Sequence, residues 1–346
     1  MEDRKRILIT GGCGFIGHHL VESLLKSTNW EIIILDCLTY AGNLNRLTDI
    51  SIWPKEKYRV KFVWHNLRSP ISETTGKMIG SINYIWHLAG ETHVDKSLED
   101  SIPFVLSNVL GTANLLEYAR HWQPNLKRFL YLSTDEVFGP APLGVNYKEA
   151  DTCNPSNPYS ATKEGAEALC KAFAFSFGLP VMISRVMNCF AERQQPEKFV
   201  PKTIRAILKE EVVTIHGLPD QVSSRKWIHA RNICEALIFL MERGEIISKQ
   251  FQHDPSFGIY HIVGEEKNVL ELANRISKII RGKELKPNEI EFVNFHRTRP
   301  GHDRRYSLDG SKLKSLGFEY PLTFEQSFDK TIKWMIKPEN QKWLDL

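Results

Sequence analysis

Ile7-Leu8-Ile9-Thr10-Gly11-Gly12-Cys13-Gly14-Phe15-Ile16-Gly17 reads as a short buried strand running into a glycine turn. The segment that follows, His18 to Lys26, has helical periodicity. Glycines in this order permit a tight turn and let backbone N–H groups approach a pyrophosphate at the positive end of a helix. Working outward, a second strand, Glu31-Ile32-Ile33-Ile34-Leu35, ends at Asp36. A carboxylate about twenty residues beyond the glycines is placed to bind the hydroxyls of an adenosine ribose. No arginine follows it immediately, so a 2′-phosphate would meet uncompensated repulsion, which favours NAD over NADP.

The alternation continues along the chain. Val60 to Val63, Tyr84 to Gly90, Arg128 to Ser133 and Val181 to Arg185 read as further strands, with helices predicted over Asn108 to Trp122 and Ser160 to Phe177. Repeated strand–helix units with apolar strands predict an α/β fold, a Rossmann-type doubly wound parallel sheet with ligands beyond its carboxyl ends. After about Met187 the rhythm changes. A short strand is expected at Val212 to His216, a polar loop at Gln221 to Lys226 and helices over Arg231 to Glu242, Val269 to Ile280 and Thr323 to Met335, with Gly258 to Val263 as a strand. The division expected is 1–186 for the dinucleotide-binding domain, with returns near 228–245 and 258–264. A smaller C-terminal α/β substrate-binding lobe follows from 187–227 and 265–337, and 338–346 reads as a loosely held tail.

Composition narrows the function classes. Of 346 residues, 42% are hydrophobic and 25% charged, as in ordinary globular proteins, and the formal charge is only +4. That balance, with Lys and Arg scattered, argues against nucleic acid and tolerates an anionic small molecule. No apolar run approaches the ~20 residues of a membrane helix, so no membrane partner is expected. The six cysteines have no C-x-x-C spacing, which predicts free thiols in a reducing cytoplasm and no metal.

The chemistry centres on Ser133-Thr134-Asp135-Glu136-Val137-Phe138-Gly139, two adjacent carboxylates at a strand end. Downstream, Tyr159 and Lys163 stand four apart and share one face of a helix. There an ammonium is expected to lower the phenol's pKa and make it a base. Adjacent burial can force the two carboxyl pKa values apart, giving one acid and one base.

With these residues in view, the chain resembles the nucleotide-sugar 4,6-dehydratases of the extended short-chain dehydrogenase/reductase superfamily, the dTDP-glucose 4,6-dehydratase type in particular. The resemblance is carried by Thr10 to Gly17, Asp36 with Thr39-Tyr40-Ala41-Gly42-Asn43-Leu44, His87 to Asp95 and Asn108 to Thr112. It continues through Ser133 to Gly139, Asn157 to Lys163, Pro196-Glu197-Lys198 and Arg299 to Tyr306. It implies that Tyr159 takes the C4 hydroxyl proton of an NDP-hexose while hydride passes to NAD. Glu136 then removes the C5 hydrogen, Asp135 protonates the departing C6 hydroxyl, and the hydride returns to C6. Thr134 would bond the C4 oxygen, and Lys163 would hold Tyr159 and the nicotinamide ribose.

By the same resemblance NAD would be held by Gly11, Gly14, Phe15, Ile16 and Gly17 and by Asp36, Leu38, Thr39 and Gly42. Asn66, Leu67, Leu88, Ala89, Gly90, Thr92, Ser107, Ser133 and Cys189 would complete that site, with Tyr159 and Lys163. The nucleotide sugar would be held by Thr92, Thr134, Asn188, Lys198, Phe199, Arg225, Asn268, Arg299 and His302. Several positions depart from the family pattern: Asn66 replaces an Asp, Phe138 a Tyr, Cys189 an Asn, Lys226 an Asp and Thr298 an Asp. His93 is expected to support its loop rather than perform chemistry. A homodimer through a four-helix interface is implied, with Ala113, Leu115, Leu116, Tyr118, Leu169, Phe173 and Phe177 as apolar candidates. The competing readings are an NDP-sugar 4-epimerase or uronate decarboxylase of the same superfamily, and a non-catalytic NAD-binding regulatory protein.

Overall fold

The computed structural model describes residues 4–219, 221–293 and 305–346. In chain order the first six strands are β1 (Arg6–Thr10), β2 (Glu31–Asp36), β3 (Val60–Trp64), β4 (Tyr84–His87), β5 (Arg128–Thr134) and β6 (Val181–Val186). They are followed by β7 (Asn188–Phe190), β8 (Val213–Leu218), β9 (Gln221–Val222), β10 (Ser224–His229), β11 (Ile259–Ile262), β12 (Glu265–Asn268) and β13 (Ile290–Val293). Seven of them form one sheet in the order β11-β6-β5-β4-β1-β2-β3, every pairing parallel. The order reverses between β1 and β4, where Thr10 lies opposite His87, and ligand crevices open at such a reversal. This is the Rossmann-type sheet expected.

Strand side chains alternate between two faces, and both faces are covered. Ile7, Ile9, Ile32 and Ile34 point into one core with Leu20 and Leu24 of helix Phe15–Ser27 and Leu237 and Leu240 of helix Ala230–Arg243. Leu8, Ile33, Ile85 and Phe129 point into the other, against Leu115 and Leu116 of helix Gly111–Trp122 and Ala166 and Cys170 of helix Pro158–Phe177. Fully burying such an aliphatic side chain contributes about 1.5–3 kcal/mol, so these two layers hold the strand ends rigidly in register.

The smaller sheets are β12-β10-β7 and β13-β8-β9. They share an apolar core containing Phe190, Ile204, Ile215, Trp227, Ile276 and Phe328. The polar loop expected over Gln221 to Lys226 is instead strand: β9 pairs antiparallel with β8, and β10 with β12. Arg225 and Trp227 are buried on β10 while Lys226 is not, so the period of two is present but written partly in polar residues. Helical structure also begins before Asn108. Turns over Ile102–Phe104 and a π-type turn over Val105–Leu110 lead into Gly111–Trp122.

The expected loose tail is packed. Pro338–Trp343 forms a 3₁₀ helix, Trp343 and Leu344 are buried, and the Trp343 indole donates to Asp49 at 3.2 Å. The Arg46 guanidinium lies 5.3 Å from the Trp343 ring. Among the described residues no helix is long and apolar enough to cross a membrane.

Candidate active site

The glycine turn forms the floor of a cavity of about 380 Å³. Gly11 has φ +71°, and a Cβ there would lie 2.8 Å from the Ala89 nitrogen. A Cβ on Gly17 would lie 2.1 Å from the Gly11 oxygen, so backbone packs where any side chain would intrude. Gly14 caps helix Phe15–Ser27 without a side chain, which leaves the first N–H groups and the positive helix end available to an anion. At the end of β2, the Asp36 carboxylate accepts from Leu38 N at 2.9 Å and Cys13 N at 3.0 Å. Burial raises its pKa above the usual carboxylate range, against those hydrogen bonds.

Phe15, Ile16, Thr39, Gly42, Asn66, Leu67, Leu88, Ala89, Gly90, Thr92, Ser107, Ser133 and Cys189 line the same cavity. Leu38 does not: at φ 53° it shapes the turn beneath Asp36. Backbone donors on one wall, a carboxylate at the next strand end and apolar surface between fit a dinucleotide.

The reactive groups stand at the far end of the cavity. β5 ends at Thr134, and a 3₁₀ turn over Asp135–Phe138 follows, closed by Gly139 at φ +67°. Thr134 Oγ1 donates to Asp135 Oδ1 at 3.1 Å, while Asp135 Oδ2 is buried with no hydrogen-bond partner among the described residues. Burial, with the neighbouring Glu136 charge, raises the Asp135 pKa to about 7. Glu136 Oε2 accepts from Asn157 Nδ2 at 3.3 Å. Asn157 also caps helix Pro158–Phe177 in a reciprocal capping box with Ser160, which fixes where Tyr159 and Lys163 emerge.

The expected Tyr159–Lys163 pairing is not what the structure shows. The Lys163 ammonium donates to the Leu132 carbonyl at 2.7 Å and lies 4.3 Å from the Tyr131 ring centroid. Burial lowers its pKa to about 8. The Tyr159 phenol is pushed well up, first by burial and then by the Glu136 charge, with a Thr134 hydrogen bond opposing. Desolvation outweighs any help from the lysine, so the phenol is protonated in this state.

A second cavity, of about 250 Å³, adjoins the first and shares Thr92, Glu136, Asn188, Lys198, Phe199 and Trp227 with it. Arg225 lines it, its guanidinium 4.9 Å from the Tyr306 ring and its charge felt by Asp135. Lys198 Nζ reaches the Thr92 carbonyl at 3.5 Å, and burial lowers its pKa. Asn268 is not brought to either cavity. Its side chain accepts from Leu270 N at 2.8 Å and caps helix Val269–Arg281. Arg299, His302 and Thr298 lie outside the described residues.

Sequence reasoning passed over Trp227, which lines both cavities and lies 5.5 Å from the Phe199 ring. Its clue was the alternation with Arg225. Arg68 was also missed; it bonds Ser107 at 2.9 Å and pairs with Glu91 at 3.6 Å on the cavity wall. Among the described residues no group of three or more His, Cys, Asp or Glu side chains could hold a metal ion.

Comparison with known proteins gives a consistent result. A family model described as GDP-mannose 4,6 dehydratase matches residues 8–331. The dTDP-glucose 4,6-dehydratase of Escherichia coli is 32% identical over 364 aligned positions, covering 98% of this chain and 94% of that one. An Arabidopsis thaliana trifunctional UDP-glucose 4,6-dehydratase/UDP-4-keto-6-deoxy-D-glucose 3,5-epimerase/UDP-4-keto-L-rhamnose-reductase is 35% identical over 343 positions, 98% of this chain and 48% of that longer protein. The crystal structure of a Streptomyces venezuelae dTDP-glucose 4,6-dehydratase, solved with NAD bound, matches with a TM-score of 0.84 at 32% identity and covers 98% of each chain.

Proposed function

Because this chain belongs to the GDP-mannose 4,6 dehydratase family, we propose that it is a nucleotide-sugar 4,6-dehydratase acting on dTDP-glucose with NAD as resident cofactor. The observation that carries the reading is one seam. Thr134, Asp135, Glu136 and Tyr159 line the glycine-floored cavity together, and Glu136 also faces the second one. NAD, when bound, supplies the hydride acceptor for oxidation at C4 and the donor for reduction at C6, so there is no net redox change.

The chain's own groups handle protons. Tyr159, bonded to Thr134, takes the C4 hydroxyl proton as the phenolate, after releasing its own proton to solvent; the positive charge of bound NAD would favour that ionised form against burial and the Glu136 charge. The resulting ketone acidifies the C5 hydrogen, which the Glu136 carboxylate removes as a proton; the same group, protonated, gives a proton back to C5 when hydride reaches C6. Asp135, protonated below about pH 7, gives its proton to the departing C6 hydroxyl through the oxygen that has no partner among the described residues. Lys198 and Arg225 supply positive charge to the second cavity, which suits a diphosphate. Asp36 and the capless helix end are the adenosine and pyrophosphate contacts. The six free cysteines fit a reducing cytoplasm.

The preference for dTDP-glucose rests on the two full-length relatives named for it; the plant relative, named for UDP-glucose, is matched over 48% of its length. Mass spectrometry after incubation with dTDP-, UDP-, CDP- and GDP-glucose tests both parts. We expect loss of one water from dTDP-glucose without consumption of an added reductant. Water loss only from UDP-glucose would overturn the nucleotide, and isomerisation without water loss would overturn the elimination.

The chain is further proposed to form a homodimer through helices Gly111–Trp122 and Pro158–Phe177, with the turns preceding the first. The apolar face differs from that expected. Leu115, Leu116, Tyr118 and Phe173 are buried in the chain's own core, whereas Ile102, Leu106 and Leu110 form an exposed row at helical spacing; Phe177 is also exposed, beside Arg120 at the far end of the first helix. Light scattering should give twice the chain mass, and Leu106→Glu with Leu110→Glu should halve it.

A further inference from the structure

At the reversal of the sheet lies a buried chain of hydrogen bonds that the chemistry above does not use. His87, the last residue of β4, has no exposed surface. Its Nδ1 is 2.7 Å from Thr10 Oγ1 and its Nε2 is 2.9 Å from Thr112 Oγ1. Direction along this chain follows from counting protons. Thr112 Oγ1 lies 2.6 Å from the Asn108 carbonyl, which can only accept, so the single hydroxyl proton of Thr112 is spent there. Thr112 therefore accepts from His87, and Nε2 carries the ring proton. Nδ1 is then the acceptor, and the Thr10 hydroxyl donates to it while accepting from Ala89 N at 3.2 Å. Every proton on the path has one acceptor, and no donor is left over. Burial, with Lys163 nearby, keeps the ring neutral by lowering its pKa to about 3.

The chain extends in both directions to the reactive groups. Ala89 lies against Gly11 of the cofactor floor. On the other side Asn108 accepts from Glu91 N at 2.8 Å and donates to Thr162 Oγ1 at 2.9 Å. Thr162 in turn donates to the Tyr159 carbonyl at 2.7 Å. The path thus joins β1, the Ala89–Glu91 loop, the π-type turn at Val105–Leu110 and the first turn of the helix bearing Tyr159 and Lys163.

We propose that His87 is a positioning residue. Its neutral ring clamps the cofactor floor to the helix carrying Tyr159, and so sets the alignment of that tyrosine with the substrate's C4. This inference rests on the dehydratase reading for its catalytic consequence, but the clamp itself does not. A histidine suits the place because it spans two hydroxyls as acceptor at one end and donor at the other. A misplacement of about 1 Å at a reacting centre costs as much as ~100-fold in rate.

Three measurements test it. In the NAD-free full-length protein, ¹⁵N-histidine spectra should show the His87 ring, like that of His19, held as the neutral Nε2–H form down to about pH 5. If His87, assigned by its loss in His87→Gln, titrates near an ordinary histidine or carries its proton on Nδ1, the clamp is overturned. In the enzyme with NAD, His87→Gln keeps an acceptor and a donor and should stay within a few fold of wild-type kcat. His87→Leu should lose about 10- to 100-fold in kcat with KM for the nucleotide sugar unchanged, and a larger isotope effect from C4-deuterated substrate. Where His87→Leu does not fold, Thr112→Val and Thr10→Val, which delete one hydroxyl each at constant shape, should raise the same isotope effect. An unchanged isotope effect in every variant that folds overturns the proposal. Wild-type protein that removes no water overturns the dehydratase reading instead, and the spectra still decide the clamp.

Discussion

The two cavities that meet at Glu136 are built differently. The cofactor side is made of backbone: glycines without room for a Cβ, a helix end without a side-chain cap, and strand ends held by two buried layers. The other side is made of side chains, with Lys198, Phe199, Arg225 and Trp227 projecting from a helix start and a small sheet. The first tolerates little change of shape, because its parts cannot rotate away. The second can be re-lettered without altering the fold, which is how one architecture accommodates different nucleotides.

The seam should show the largest effect. Asp135→Asn with Glu136→Gln removes both the elimination acid and base, and we expect turnover to fall by about 10³-fold or more. Bound NAD, measured after release from the purified variant, should be unchanged because neither residue shapes the glycine floor. Parallel loss of cofactor would mean that the two sides are not separable there.

The packed C-terminus bridges the same division. Trp343 sits on Arg46 and Asp49 beside the cofactor loop, and Leu344 is buried in the smaller core. Trp343→Ala should therefore destabilise by about 3 kcal/mol, at the low end for loss of a buried tryptophan. Thermal unfolding should register it while kcat stays the same. A smaller and more local effect is expected of Gly17→Ala. Its methyl would enter at 2.1 Å from the Gly11 oxygen and force the turn to shift, at a cost of about 1–3 kcal/mol. That should appear as roughly 10- to 100-fold weaker NAD binding by titration, with the second cavity's affinity for free nucleotide preserved.

The same contrast explains what could be read from the sequence. The β1 strand and its glycines could be read because apolar runs and missing side chains write the cofactor side in residue types alone. Ser133 to Glu136 and Tyr159 were placed because strand end and helix start follow from periodicity. Asn268 was misplaced because an asparagine at a helix start serves equally as a ligand contact or a cap, and only the backbone direction distinguishes them. Trp227 was hidden in a strand whose alternation is carried partly by polar residues, and Arg225 on the same face was reached only through the family resemblance. Lys163 shares its helix face with Tyr159 as the spacing requires, yet its ammonium follows the Leu132 carbonyl, a choice made by β5 rather than by its own helix. The tail was misjudged because its partners, Arg46 and Asp49, are nearly three hundred residues away in sequence, and no local pattern reports them.

The smallest expected effect concerns the seam's stability rather than its rate. The Asp135 carboxyl has its pKa raised from 3.8 to about 7 by burial and by Glu136. Between those values the folded chain holds a proton that the unfolded chain has released, so stability falls as pH rises through the window. Below about pH 4 both states are protonated and the group contributes no pH dependence; above about pH 7 the folded state carries the full penalty of a buried charge beside another. Each pH unit in the window corresponds to at most ~1.4 kcal/mol, and relaxation of the cavity in response to the new charge reduces that. Asp135→Asn cannot ionise. Relative to wild type, the NAD-free variant should therefore gain stability from pH 4 to pH 7, by about 2 kcal/mol or less, and hold that gain above pH 7. Denaturant melts of both proteins across this range measure the difference directly, and groups that titrate in both, Lys163 among them, cancel. A constant offset at all pH values would show that Asp135 is already ionised in the folded chain, and it could not then serve as the acid of the elimination.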